Sequence, residues 1–219
     1  GEVHLKEGPM MASPDIFNIN VIGKGGHGAV PQESIDPIVI TCQIVNSLQT
    51  IVSRKINPLD PVVITCGRIQ GGDCHNVIPN EVELEGTIRT FNEETRNWVP
   101  KVMEDLIRGI TTSQGAAYEF KYEPKYPALI NDKYMTSFAK ESLKKVVGEE
   151  NVFDLKEPNM GGEDFAYFAQ KVPSAFIFVG IANNKSEPVI HHNPYFKWDS
   201  KNVGILAQGL SQIAIDYLK

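Results

Sequence analysis

The chain has 219 residues, 42% hydrophobic and 22% charged, enough for one large or two small globular domains and too apolar for a disordered segment. A net charge of -6 without a Lys/Arg-rich cluster argues against nucleic acid or an anionic membrane surface as the main partner, and no apolar run approaches the ~20 residues that span a bilayer. The N-terminus lacks the basic-then-apolar order of a signal peptide, and Cys42, Cys66 and Cys74 form an odd set without Cys-x-x-Cys spacing, which points to a reducing compartment, the cytoplasm by default.

Residues 1–13 hold one short strand-like run and then turn residues, and read as the end of a segment. The alternation Ile16-Phe17-Asn18-Ile19-Asn20-Val21-Ile22 predicts a half-buried strand. In Gly23-Lys24-Gly25-Gly26-His27-Gly28, four glycines leave the backbone free for positive φ and for close approach to another molecule. Asp36-Pro37 opens a helix over about 36–52, an N-cap acid before proline, with Ile44, Val45, Leu48, Ile51 and Val52 on one face. Asn57-Pro58-Leu59-Asp60-Pro61 breaks the chain before a second strand at 62–66. Turn residues at 71–72 and 76–80 then precede the clearest strand, 81–89, polar at odd positions and apolar or Gly at even ones. Asn92 caps a second helix with Glu93 and Glu94 in its first turn and Trp98, Val99, Val102, Met103, Leu106 and Ile110 as its buried stripe. A last alternating strand covers 118–122. The order β-α-β-β-α-β predicts a ferredoxin-like α+β sandwich over 14–127, with both helices on one face of a four-stranded sheet.

From residue 128 to 219 the character changes. Asn131-Asp132 opens a helix closed by Lys144, Lys145 and Gly148. Gly161-Gly162-Glu163-Asp164-Phe165 leads into a short helix, and the apolar run 175–179 reads as a fully buried strand needing neighbours on both edges. A final helix over about 202–218 carries Leu206, Leu210, Ile213, Ala214 and Tyr217 on one side.

Several residue types here can carry chemistry. His27, on a loop tip, can donate a hydrogen bond to an anion, or it is simply solvated. His191-His192 are candidate metal ligands, or part of a polar surface loop. Glu163 is a base, a ligand or a substrate contact, or an acid favouring a helix dipole. Asn76 offers a neutral donor and acceptor and Arg89 a planar fork suited to a carboxylate; otherwise they are a turn residue and an exposed strand position. The cysteines read as small buried hydrophobes.

Taken together, Gly23-Lys24-Gly25-Gly26-His27, Asp36-Pro37-Ile38, Leu48-Gln49-Thr50-Ile51-Val52-Ser53-Arg54, Asn57-Pro58-Leu59-Asp60, Gly71-Gly72, Asn76-Val77-Ile78-Pro79, Gly86-Thr87-Ile88-Arg89-Thr90-Phe91, Gly162-Glu163-Asp164-Phe165 and His192-Asn193-Pro194-Tyr195-Phe196 resemble the M20 family of metallopeptidases and amidohydrolases. The resemblance is greatest to its hippurate hydrolases, N-acyl-amino-acid amidohydrolases and auxin-conjugate hydrolases. It implies that 1–13 ends a catalytic-domain segment, 14–127 is a lid and dimerisation domain, and 128–219 is the C-terminal part of an α/β zinc-peptidase-like catalytic domain. It further implies two divalent metals, zinc or manganese, with a bridging water, His192 as one metal ligand, and His27 stabilising the oxyanion in a partner subunit's site. Asn76, Arg89 and Glu163 match substrate-binding positions. The family's remaining metal ligands come from a region upstream of what is here Gly1, so the chain is expected to be a fragment that hydrolyses nothing alone. Its parent is expected to be a homodimeric hydrolase of N-acyl amino acids. An exopeptidase acting on peptides and a non-catalytic dimerisation or binding module are the rival readings.

Overall fold

The structure, a computed structural model, describes residues 1–182 and 192–219. Its strands are β1 (Val3–Leu5), β2 (Gly8–Met11), β3 (Ser13–Ile22), β4 (Gly26–His27), β5 (Val63–Gln70), β6 (Val77–Ile78), β7 (Glu81–Thr90), β8 (Ala117–Glu123), β9 (Leu129–Asn131), β10 (Val152–Asp154) and β11 (Phe178–Val179). Its α-helices are α1 (Pro37–Arg54), α2 (Glu93–Ser113), α3 (Lys133–Val147), α4 (Ala166–Ala169) and α5 (Lys201–Tyr217). Two compact units result. One comprises Gly1–Met10, Leu129–Asn159 and Phe165–Lys219, and the other Met11–Ala128 with Met160–Asp164.

The second unit is built on an antiparallel sheet in the order β5-β7-β3-β8, the ferredoxin-like arrangement. β3 and β7 pair along their whole length, from Ser13↔Thr90 to Ile22↔Glu81. Period-2 alternation sends Phe17, Ile19, Val21, Leu84 and Ile88 to one face, where they are buried against Ile44, Leu48, Val99, Met103 and Ile107 of the two helices. Gly86 is required there: a Cβ would lie 2.2 Å from the Phe17 ring. Asp36 caps α1 by accepting from the Ile38 amide at 2.9 Å, and Asn92 caps α2 by accepting from the Glu94 amide at 2.8 Å. Trp98 departs from the expected stripe and is exposed, because the buried line on α2 runs through Val99, Met103 and Ile107 at i, i+4 spacing.

Beneath this sheet's edge lies a buried polar cluster. The Asp15 carboxylate accepts from Arg96 Nε at 2.7 Å and Nη2 at 2.8 Å, from the Lys125 backbone amide at 2.8 Å and from the Tyr122 hydroxyl. Burial, reinforced by the hydrogen bond to Asp15, pushes the Tyr122 hydroxyl well above the usual phenol range, and the bond to Asp15 raises Arg96.

In the first unit β1 is the central strand, parallel to β10 and antiparallel to β11. Its Val3 and Leu5 are buried with Ala139 and Leu143 of α3. The run 175–179 is therefore not the buried central strand its composition suggests: only Phe178–Val179 joins the sheet, at an edge and half-buried. The Asn131 side chain explains this. Its Oδ1 accepts from the Phe176 amide at 2.7 Å and its Nδ2 donates to the Phe176 carbonyl at 3.0 Å, which occupies backbone groups a ladder would use. Of the expected side of α5, Ile213 packs against the core, but Leu206, Leu210, Ala214 and Tyr217 are exposed. Asn202 and Gly209 are buried instead, because Gly209 sits so close to α3 that a Cβ would lie 2.9 Å from Leu143.

Candidate functional site

The His27 loop is held as a two-stranded ribbon that the sequence reading did not contain. β4 pairs with β6 in the register Gly26↔Ile78 and His27↔Val77. The Gly25 amide donates to Asn80 Oδ1 at 3.0 Å, and the Gly23 amide donates to the Asn80 carbonyl at 2.8 Å. Lys24 and Ile35 exchange two backbone bonds of 2.9 Å. None of Gly23, Gly25, Gly26 and Gly28 is among the positive-φ glycines, so the expectation of left-handed backbone here is corrected. Close approach is what they permit: a Cβ on Gly25 would lie 2.7 Å from the Ile78 carbonyl oxygen, and one on Gly26 would lie 2.2 Å from Ser34 Oγ.

The ribbon brings His27 and Asn76 together. The Gly28 amide donates to the Asn76 carbonyl at 2.9 Å, fixing the two loops main chain to main chain. Both side chains are exposed. The His27 ring accepts at Nδ1 from the Ala29 amide at 3.0 Å, and Asn76 Oδ1 accepts from Cys74 Sγ at 2.9 Å. Cys42 and Cys74 are exposed and only Cys66 is partly buried, so the reading of the cysteines as core residues is wrong for two of them. Cys42 lies on the outer side of α1 and Cys74 in a turn; burial pushes the Cys66 thiol up.

Arg89 and Glu163 belong elsewhere. Arg89 stands at the other end of β7, opposite Pro14 on β3 and Val63 on β5. Gly162, next to Glu163, packs on that same Pro14, where a Cβ would come within 2.3 Å of the proline ring. The eight residue steps from Glu81 to Arg89 span roughly 27 Å at the strand rise of about 3.4 Å per residue. Within this unit the four candidates thus form two pairs at opposite ends of one strand, each able to hydrogen-bond a polar ligand.

His192 is exposed, with a positive φ of 66°. His191 lies outside the described residues. Among the described residues no three His, Cys, Asp or Glu side chains are grouped so as to hold a metal ion, so they do not by themselves fit a metal centre. No described helix is long and apolar enough to cross a membrane.

The sequence matches the family model described as Peptidase family M20/M25/M40 over residues 2–213. It is 39% identical over 219 residues to an N-acetylcysteine deacetylase of Bacillus subtilis, covering 100% of this chain and 56% of that protein. It is 50% identical over 131 residues to an N-acyl-L-amino acid amidohydrolase of Geobacillus stearothermophilus, covering 60% of this chain and 35% of that one. Among solved structures, a dinuclear metal-binding peptidase of the M20 family from Bacillus subtilis superposes with a TM-score of 0.77 at 33% identity, covering 99% of this chain and 53% of that one. The chain spans about half the length of the deacetylase and of the solved peptidase.

Proposed function

Since the chain belongs to peptidase family M20/M25/M40, we propose that the whole protein is a metal-dependent amidohydrolase that cleaves the amide bond of N-acyl amino acids. Relatives named for deacetylation of N-acetylcysteine and for hydrolysis of N-acyl amino acids support that substrate class, while thermostable carboxypeptidases of Saccharolobus solfataricus at 36–37% identity keep peptides as the alternative. Two divalent ions, zinc or manganese, belong to this reading. His192 is one proposed ligand, and the others lie outside the described residues. Residues 14–127 act as the lid and dimerisation domain, flanked by catalytic-domain segments at 1–13 and 128–219. A cytoplasmic location fits three free thiols.

In this reading His27 donates a hydrogen bond to the oxyanion of the tetrahedral intermediate, with Asn76 beside it as a second polar contact. Arg89 grips the substrate carboxylate with its planar fork, and Glu163 lines the same end. The observation that carries the proposal is the division of these residues into two pairs at opposite ends of β7. A single N-acyl amino acid is too short to bridge roughly 27 Å of strand. In this reading one subunit's His27 and Asn76 serve the site of a second copy in a homodimer, a division of labour that the separation of the two pairs supports. β5 is the proposed self-pairing edge: it exposes Thr65, Gly67 and Ile69 around a bulge between Cys66 and Arg68, and its one charge, Arg68, is paired back to Glu85 at 3.0 Å. The opposite edge, β8, is fringed by exposed Glu119, Lys121 and Glu123, which blunt it.

The test is turnover of N-acyl amino acids and of dipeptides by the whole protein with zinc or manganese, beside the 219-residue chain alone. Chelator-sensitive hydrolysis of N-acyl amino acids by the whole protein is expected, with none by the chain alone. Preference for dipeptides would favour the exopeptidase, and no turnover by either the non-catalytic module.

A further inference from the structure

We infer that His27 acts as an uncharged donor through its Nε2–H, in a tautomer set by the backbone amide of Ala29; this rests on the reading of His27 as the oxyanion contact. A backbone amide can only donate, so the 3.0 Å bond from Ala29 N–H to Nδ1 requires Nδ1 to be unprotonated. A neutral imidazole has one N–H, which is then on Nε2. The turn leaves the ring little alternative. The Val30 amide donates to the His27 carbonyl at 3.0 Å, closing a four-residue turn, and the Gly28 amide is engaged by the Asn76 carbonyl at 2.9 Å. Each of the three amides after His27 is thus occupied, and the ring takes the place an Asn or Asp side chain has in an Asx turn. An imidazolium would set Nδ1–H against Ala29 N–H, donor facing donor. Ala29 is therefore a positioning residue that acts through its main chain, and the ribbon offers the oxyanion a preorganised N–H without a net charge.

Ring nitrogens of the 15N-labelled protein report the tautomer directly, with His27→Gln identifying the signals by their disappearance. The expected pattern is an unprotonated Nδ1 and a protonated Nε2; a protonated Nδ1 overturns the inference whatever the activity. Reach gives a second readout in the whole protein. Glutamine carries its amide about as far out as Nε2, whereas asparagine carries it only to the place of Nδ1. His27→Gln is expected to keep about ten times the kcat of His27→Asn, the scale of a single oxyanion donor being 10²–10³. Equal loss in the two variants overturns the Nε2 contact. An unchanged kcat in His27→Ala, with the nitrogen pattern as expected, instead overturns the proposed role of His27 and leaves the tautomer standing.

Discussion

Replacing His27 by alanine in the whole protein should lower kcat by about 10²–10³ while leaving metal affinity unchanged, because an oxyanion donor is worth most where charge develops. Turnover compared with metal titration of the same variant checks this, and an equal loss of both would remove His27 from the oxyanion. The candidate was legible in the sequence as a lone ring within a run of glycines. Asn76 was legible too, as a candidate of its own, but its place beside His27 was not. Asn76 is 49 residues away, and the two meet through strands of two residues each, too short to leave any alternation. The glycines mislead for a related reason. Composition marks a position where a side chain is excluded, but it does not say whether the backbone dihedral or a neighbouring atom excludes it.

Asp15 ties together three elements, β3, α2 and the end of β8. Asp15→Ala should cost about 3–5 kcal/mol, because it strands the buried Arg96 guanidinium without its partner. Urea unfolding would measure this, and a cost under about 1 kcal/mol would mean that water reaches Arg96 more freely than its burial suggests. The same cluster sets an alkaline limit. Tyr122 holds its proton more tightly folded than unfolded, from burial first and the bond to Asp15 second, so its contribution is intact below pH ~10 and declines as pH rises through the folded value. Tyr122→Phe should flatten that alkaline decline in a series of unfolding curves. Elements with alternating or capped patterns, such as β7 and α1, were readable because burial on one face writes a period into the sequence. The run 175–179 and the inward face of α5 were not. One is decided by the Asn131 side chain and the other by Gly209 against Leu143, both contacts distant in sequence.

For the whole molecule, the proposed sharing of a site between copies predicts complementation. Mixing His27→Ala with His192→Ala whole-protein subunits, each retaining at most about a hundredth of native activity alone, should restore about a quarter of native activity once subunits exchange at random, since half the dimers are mixed and each has one complete site. Activity against mixing ratio checks this; no recovery after demonstrated exchange would confine each site to one chain. The register of β3 with β8 has another consequence. Ile16 lies opposite Glu123, so the 11–128 segment leaves and re-enters the chain at nearly the same point. A segment with adjoining ends is a cassette: a short linker can replace it with little loop-closure entropy, and a lineage can lengthen, exchange or lose it without rethreading the fold that carries it.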